Sequence, residues 1–166
     1  SGNGGSPHLS GETFMIATGT KLLHVPYKGG GAAMTDLIGG NVDMMFASVL
    51  EFSAHIKAGK LKALAISSKQ RVAALPDVPT LQEAGVVGAA SGSWLGLLAP
   101  AGTPAPIVDK VSRDLQQVLA TPEVQQQLLA LGAIAKGGTP ADFSALIAAD
   151  RKRYERIIID NKLQAD

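Results

Sequence analysis

Hydrophobic positions along this chain take two spacings. Short apolar runs occupy 22–26, 42–46, 61–66 and 93–99, each close to a glycine or proline, and read as strands. Between them the spacing becomes helical. Leu9, Phe14, Met15 and Ile16 suit a helix from Ser6 to Thr18, with Ser6 as N-cap, Pro7 at the first position and Gly19 as stop. A second helix covers Ala32–Ile38 and ends at Gly39-Gly40. A third is capped by Ser48, carries Leu50, Phe52, Ala54 and Ile56, and ends at Gly59. Residues 69–80 are irregular, and Thr80–Ala84 reads as a short helix closed by Gly85.

The pattern changes at Pro100. Pro100, Pro104 and Pro106 mark a linker, and the chain beyond it is helical. Pro106–Leu119 puts Ile107, Val111, Leu115 and Val118 on one face. Thr121-Pro122 opens a helix with Val124, Leu128 and Leu129 that ends near Gly132. Thr139-Pro140 opens the last, with Phe143, Leu146, Ile147, Tyr154, Ile157 and Ile158 in helical register. Residues 1–99 thus alternate helix and strand, as in a parallel-rich α/β unit. The helices after Pro100 have apolar faces but almost no strand of their own to pack on. Arg151-Lys152-Arg153 reads as a solvated face of the last helix.

Composition narrows the function classes. The 166 residues are 46% hydrophobic and 17% charged, with a net charge of +1, which excludes a disordered chain. Residues 1–103 hold 7 basic and 6 acidic groups and 104–166 hold 8 of each, so no basic stripe points to nucleic acid. No apolar run is long enough to span a membrane. The absence of cysteine removes disulfides, thiolate metal sites and a cysteine nucleophile, and suits cytosol and periplasm equally.

The stretch His24-Val25-Pro26-Tyr27-Lys28-Gly29-Gly30-Gly31 is the centre of the candidate chemistry. Pro26 closes a strand, the glycines free the backbone, and a helix opens behind them. Such a loop can aim several N–H groups at one anion, with the helix dipole in support. Ser1-Gly2-Asn3-Gly4-Gly5-Ser6 is a second loop of the same kind, also opening onto a helix. On one rim of an α/β sheet the two would offer N–H donors plus the hydroxyls of Ser1, Ser6 and Tyr27, a setting for a carboxylate. Read from spacing alone, the glycines equally serve as tight turns.

Other chemistries find little support. The lysine of Tyr27-Lys28-Gly29-Gly30-Gly31 precedes the glycines, unlike a phosphate-binding P-loop. Gly2-Asn3-Gly4-Gly5-Ser6-Pro7 departs from the dinucleotide fingerprint, and no acidic residue stands at the required distance. His8, His24 and His55 lack metal-ligand spacing, and of these only His8, one turn from the first loop, is kept as a ligand neighbour. No Gly-x-Ser-x-Gly elbow occurs. Asp36, Asp43, Glu51 and Asp77 form no acid–base pair by spacing. Trp94 reads as a pocket lid or as a core or hinge residue.

The sequence resembles the receptors of the tripartite tricarboxylate transporters, periplasmic solute-binding proteins of the Bug type. His24 through Gly31 is similar to one family motif, and Ser1-Gly2-Asn3-Gly4 through Leu9 and Phe14 to another. Gly39-Gly40-Asn41-Val42-Asp43 through Phe46, Ile56-Lys57-Ala58-Gly59-Lys60-Leu61 through Ala65, Leu75-Pro76-Asp77-Val78-Pro79-Thr80 and Trp94 through Pro104 come in the family's order. Two departures stand out. Ala47 precedes Ser48 where many relatives have a polar residue, so no polar side-chain contact is expected at 47. Ala32 replaces a common proline, without consequence for the site.

The resemblance implies an α/β, periplasmic-binding-protein-like (type II-like) lobe with a parallel-rich sheet flanked by helices, plus C-terminal helices of the other lobe. Residues 1–95 would be the complete second lobe. Residues 96–166 would be the crossover strand and helices of the first lobe, whose N-terminal half, with its Pro-x-Gly-Gly loop, lies outside this sequence. The implied function is periplasmic capture of a small mono- or dicarboxylate and its delivery to the transporter's membrane permease subunits. No catalytic residue, cofactor, metal or nucleic acid is expected. The ligand-binding set is Gly2, Asn3, Gly4 and Ser6, then Tyr27, Lys28, Gly29 and Gly30, with Ser48 as a third contact. The alternatives are a small serine-dependent hydrolase or transferase, and a non-binding fragment that self-associates.

Overall fold

A computed structural model describes residues 2–163. Six helices are present among them: α1 Ser6–Thr18, α2 Gly30–Ile38, α3 Val49–Lys57, α4 Ala105–Leu119, α5 Pro122–Ala130 and α6 Pro140–Asp160. Their ends obey local chemistry. α1 stops at Gly19 in the left-handed conformation, φ 67°. α6 starts on a capping box, in which Thr139 Oγ1 accepts the Asp142 N–H at 3.1 Å and Asp142 Oδ2 accepts the Thr139 N–H at 2.9 Å. Two starts differ from the sequence expectation. Gly5, not Ser6, is the N-cap of α1, so Ser6 is its first helical residue. Gly29 caps α2, which begins two residues before Ala32.

The segment at Thr80–Ala84 is a single hydrogen-bonded turn rather than a helix. Thr80 and Glu83 make a capping box there, Glu83 Oε2 accepting the Thr80 N–H at 2.7 Å and Thr80 Oγ1 the Glu83 N–H at 3.1 Å. Gly85, at φ 89°, turns the chain away before a second turn forms.

The strand expectations at 22–26, 42–46, 61–66 and 93–99 are corrected. Among the described residues no ladder forms, and the regular pairing is one isolated parallel bridge, Ile66 with Thr80. It is made by the Ile66 N–H to the Pro79 carbonyl and the Leu81 N–H to the Ile66 carbonyl, both at 2.8 Å. Beside it the Ser91 N–H reaches the Ser67 carbonyl at 2.9 Å. An apolar run reports what gains from burial, whereas a ladder needs a second backbone in register. Leu23 and Leu95, inside two of these runs, are each 91% exposed.

The core is small and lies in the first hundred residues: Ala33, Phe52, Ile66, Ala74, Leu75, Leu81 and Ala89 are buried. α1 is the post around which that half gathers. His8 stacks on His24, Phe14 meets Phe46 at 5.7 Å, and Ser91 Oγ donates to Ser10 Oγ at 3.0 Å. α4, α5 and α6 bury no residue. They attach through Trp94, whose ring meets Phe143 edge-on at 5.0 Å and whose Nε1 donates to Asp150 Oδ2 at 2.6 Å, and through Arg153, which donates to the Ala90 carbonyl. The chain exposes 11394 Å², whereas a monomer of 17.0 kDa exposes about 7,700 Å² by the usual scaling with mass. Among the exposed apolar side chains are Leu23, Leu95, Leu98 and Ile134.

Candidate functional site

The glycine-rich loops occupy helix N-termini, as the sequence implies. Gly5 caps α1 and Gly29 caps α2, and neither helix has an acidic residue in its first turn or a side-chain cap. The first-turn N–H groups therefore keep their capacity for an outside acceptor. α3 starts on Ser48, whose carbonyl accepts from Glu51 and Phe52 at 3.1 and 3.3 Å but whose side chain makes no cap.

Tertiary contacts join α1 to the segment that leads into the second loop, and the start of α2 to the start of α3. The His8 ring, in the first turn of α1, lies 3.8 Å from and 6° off parallel to the ring of His24, which leads into the second loop. The Gly4 N–H donates to His8 Nδ1 at 3.1 Å, and Glu12 Oε1 faces His8 Nε2 at 3.4 Å. The imidazole is thus fixed by its own helix and by the loop before it. α2 and α3 meet at their starts, where a Cβ on Gly30 would lie 2.7 Å from Glu51 Oε2 and 3.7 Å from the Phe52 ring. Gly30 is the residue that lets α3 come this close.

The expected site residues take these places. Gly4 turns the first loop in the left-handed region, φ 76°, and spends its N–H on His8. Gly2 and Asn3 lie beside it, half-buried, while Ser1 falls outside the described residues. Ser6 is exposed and turns toward α6, lining a cavity of about 620 Å³ with Leu9, Trp94, Ile147 and Tyr154. That cavity is mostly apolar and includes none of residues 27–30, so it is not a setting for a carboxylate. Tyr27 spends its hydroxyl on Asp36 Oδ2 at 2.6 Å. Lys28 is exposed and in none of the ion pairs found among the described residues. Gly29 and Gly30 form the mouth of α2, and Ser48 is exposed at the mouth of α3.

These contacts set the electrostatics. The hydrogen bond from Tyr27, then that from Asn41 Nδ2 at 3.2 Å, lowers the Asp36 pKa, and the same bond to Asp36 raises that of Tyr27. Glu51 is the site residue that sequence reasoning passed over. Ser48-Val49-Leu50-Glu51 has the Ser-x-x-Glu spacing of a capping box, which would turn Glu51 onto its own helix. In the fold that box is absent, and the carboxylate lies against Gly30 of the neighbouring helix. No group of three or more His, Cys, Asp or Glu side chains suited to a metal occurs among the described residues. No helix there is long and apolar enough to cross a membrane.

Known proteins share this chain's sequence and its path. The profile described as tripartite tricarboxylate transporter family receptor matches residues 1–163. A protein of the tcbD-tcbE intergenic region of Pseudomonas sp. is 36% identical over 99% of this chain and 49% of its own length. One of the clcB-clcD intergenic region of Pseudomonas knackmussii is 36% identical over 99% of this chain and 98% of its own length. The chain spans about half the length of most of the curated relatives it matches. An R. palustris protein solved with adipate superposes with TM-score 0.90 and 31% identity, over 96% of this chain and 54% of the other. The periplasmic binding protein BugD gives 0.86 and 36% over 98% and 55%, and MatC from Rhodopseudomonas palustris with bound malate gives 0.83 and 32% over 92% and 53%. The path of the chain is therefore that of the periplasmic-binding-protein fold, although the strands of its sheet are not paired here.

Proposed function

This chain belongs to the tripartite tricarboxylate transporter receptor family, a family of solute receptors and not of enzymes, and we propose that it holds one side of a binding site for small mono- or dicarboxylates. In this proposal the receptor works in the periplasm and hands its ligand to the transporter's membrane permease subunits. One observation carries it: the start of α2 lies against the start of α3 at Gly30 and Glu51, and α1 and α2 both open from glycine loops without acidic side chains in their first turns. A carboxylate accepts several backbone N–H bonds at once and is stabilised by aligned helix dipoles.

Gly29 and Gly30 then supply N–H donors, and Gly2 and Asn3 line the first loop, while Ser6, which faces the cavity beside α6, serves as the first residue of α1. Lys28 adds positive charge, and Ser48 a hydroxyl. Gly4 contributes the turn, since its N–H is held by His8. Tyr27 contributes its backbone, since its hydroxyl is held by Asp36. Residues 1–95 are the ligand-holding lobe, and 96–166 pass to the lobe that closes over it. Support for that division comes from the surface: Leu95, Leu97, Leu98, Ile107 and Val111 are exposed, and α4–α6 bury nothing. The same exposure favours a second reading, self-association through these faces, which gel filtration with light scattering tests directly.

The decisive experiment is a thermal-shift and calorimetric titration of this chain, and of a receptor of the relatives' full length, with adipate, malate and their mono-acid counterparts. Ligand at one hundred times its Kd stabilises the folded state by about 2.7 kcal/mol. Saturable heat with a matching rise in Tm is the expected result. No response from either protein to any carboxylate ends the proposal.

A further inference from the structure

A buried imidazole ties the first glycine loop to the helix that it opens. The Gly4 N–H donates to His8 Nδ1 at 3.1 Å, and Gly4 sits in the left-handed region at φ 76°. His8 is only 8% exposed, although it lies in the first turn of α1. Because Nδ1 accepts, the neutral ring carries its proton on Nε2, which faces Glu12 Oε1 at 3.4 Å. Glu12 is buried as well. The His24 ring covers that of His8 at 3.8 Å, 6° off parallel. The titratable groups against the ring are therefore Glu12 on its own helix and His24 from the segment before the second loop. From α6, Asp150, Arg151 and Glu155 line the cavity that Ser6 and Leu9 also line, and Asp150 is held by Trp94.

We propose that His8 is the positioning residue of the first glycine loop, and that it holds the loop ready for a carboxylate only while Nδ1 carries no proton. The inference rests on the carboxylate-receptor reading and adds proton-linked control to it. A proton on Nδ1 turns the acceptor into a donor, and two N–H groups cannot bond to each other. Gly4 then loses its partner, and the loop loses this tie to α1. Glu12 supplies the opposite charge, so a protonated His8 is not an isolated buried ion. The stack disfavours a second proton, which would set like charges 3.8 Å apart. Gly2 and Asn3, beside Gly4, no longer keep one geometry. The charge gained, paired with Glu12, attracts an outside anion less than the freed loop loses in fixed N–H donors, so affinity falls in acid.

The test titrates wild type, His8→Ala, His8→Asn and His24→Phe with malate by calorimetry between about pH 8 and pH 5, where imidazoles change charge. Asparagine places an amide oxygen where Nδ1 stands and stays uncharged, so it offers Gly4 an acceptor at every pH. His24→Phe keeps a stacked ring and removes its titration. Comparing proteins at one pH cancels the protonation of malate itself. His8→Ala should bind weakly throughout, and His8→Asn should restore binding. Toward acid, wild type should lose about tenfold in affinity relative to His8→Asn, the scale of one hydrogen bond, and His24→Phe should lose as much. The Gly4 amide resonance should move with pH in wild type and stay in place in His8→Asn. Unchanged helical circular dichroism shows that the variants fold. If the ratio of wild type to His8→Asn stays level or rises in acid, or if His24→Phe abolishes the loss, the His8 inference is overturned and the receptor reading stands. A Gly4 resonance that titrates alike in wild type and His8→Asn overturns it without reference to any ligand. If no carboxylate binds at any pH, the receptor reading and the inference that rests on it fall together.

Discussion

The Tyr27 hydroxyl donates a 2.6 Å hydrogen bond to Asp36 Oδ2, two turns along the helix that the Tyr27 loop opens. The phenol is therefore a staple between the loop and the flank of α2. It fixes the angle at which Lys28, Gly29 and Gly30 enter the helix, so Tyr27 acts on the site through the backbone it holds. Asn41 completes the arrangement from beyond the C-terminal end, with Nδ2 on Asp36 Oδ1.

This staple has two pH limits. Asp36, lowered by the bond from Tyr27, favours the folded state above the ordinary carboxylate range and stops doing so as pH falls through its own depressed pKa. Tyr27, raised by the bond to Asp36, favours it below the ordinary phenol range and stops doing so as pH rises through its elevated value. Because one hydrogen bond shifts both groups, Tyr27→Phe and Asp36→Asn should each flatten the Tm–pH curve at both ends, and the double variant should add little to either. Additive effects would show that the two side chains act independently.

Gly30→Ala separates folding from binding. The added Cβ meets the far end of a flexible glutamate, which can swing away, and alanine favours a helix over glycine by up to about 1 kcal/mol. Unfolding in urea should show stability within about 1 kcal/mol of wild type. Affinity for a carboxylate should fall, because the methyl group and the displaced Glu51 crowd the mouth of α2. In Glu51→Gln the same substitution should cost less affinity.

Gly96→Ala should be far more damaging. Its Cβ would strike the Phe143 ring, which is itself packed edge-on against Trp94. Overpacking of this kind costs about 1–3 kcal/mol, and an aromatic ring between two elements has little room to move. Denaturation midpoints should fall for Gly96→Ala and recover in part when Phe143→Leu is added.

The two helix starts that read alike in sequence should behave differently. Thr139→Ala removes the hydroxyl that caps α6 and should cost about 1 kcal/mol. Ser48→Ala removes a hydroxyl that caps nothing and should leave stability nearly unchanged. Asp142, lowered first by the N–H of Thr139, gives the α6 start an acid limit: its contribution is full above the ordinary carboxylate range and fades as pH falls through the depressed pKa. Helical circular dichroism recorded down the pH scale should lose signal earlier in Thr139→Ala than in Ser48→Ala.

How far the sequence reaches depends on the range of the interaction. Gly19 as the stop of α1, Thr139-Pro140 as the start of α6 and the apolar face of α4 were all legible, because caps and helix bonds join residues within four positions of each other. The glycine loops and the ordered series of motifs were legible too, and they carried the family. By itself the sequence thus determined the helices, the loops at their mouths and the kind of receptor.

Tertiary structure decided what depends on distant neighbours. Among the described residues the apolar runs found no partner in register beyond the single bridge at Ile66, because pairing is a property of two backbones and not of one run's composition. Tyr27 turned to Asp36 rather than outward, His8 and His24 met across the intervening chain, and Glu51 crossed to Gly30 instead of capping its own helix. Each is a choice between contacts of similar local strength. Packing decides such choices, because it alone sets which groups come within reach.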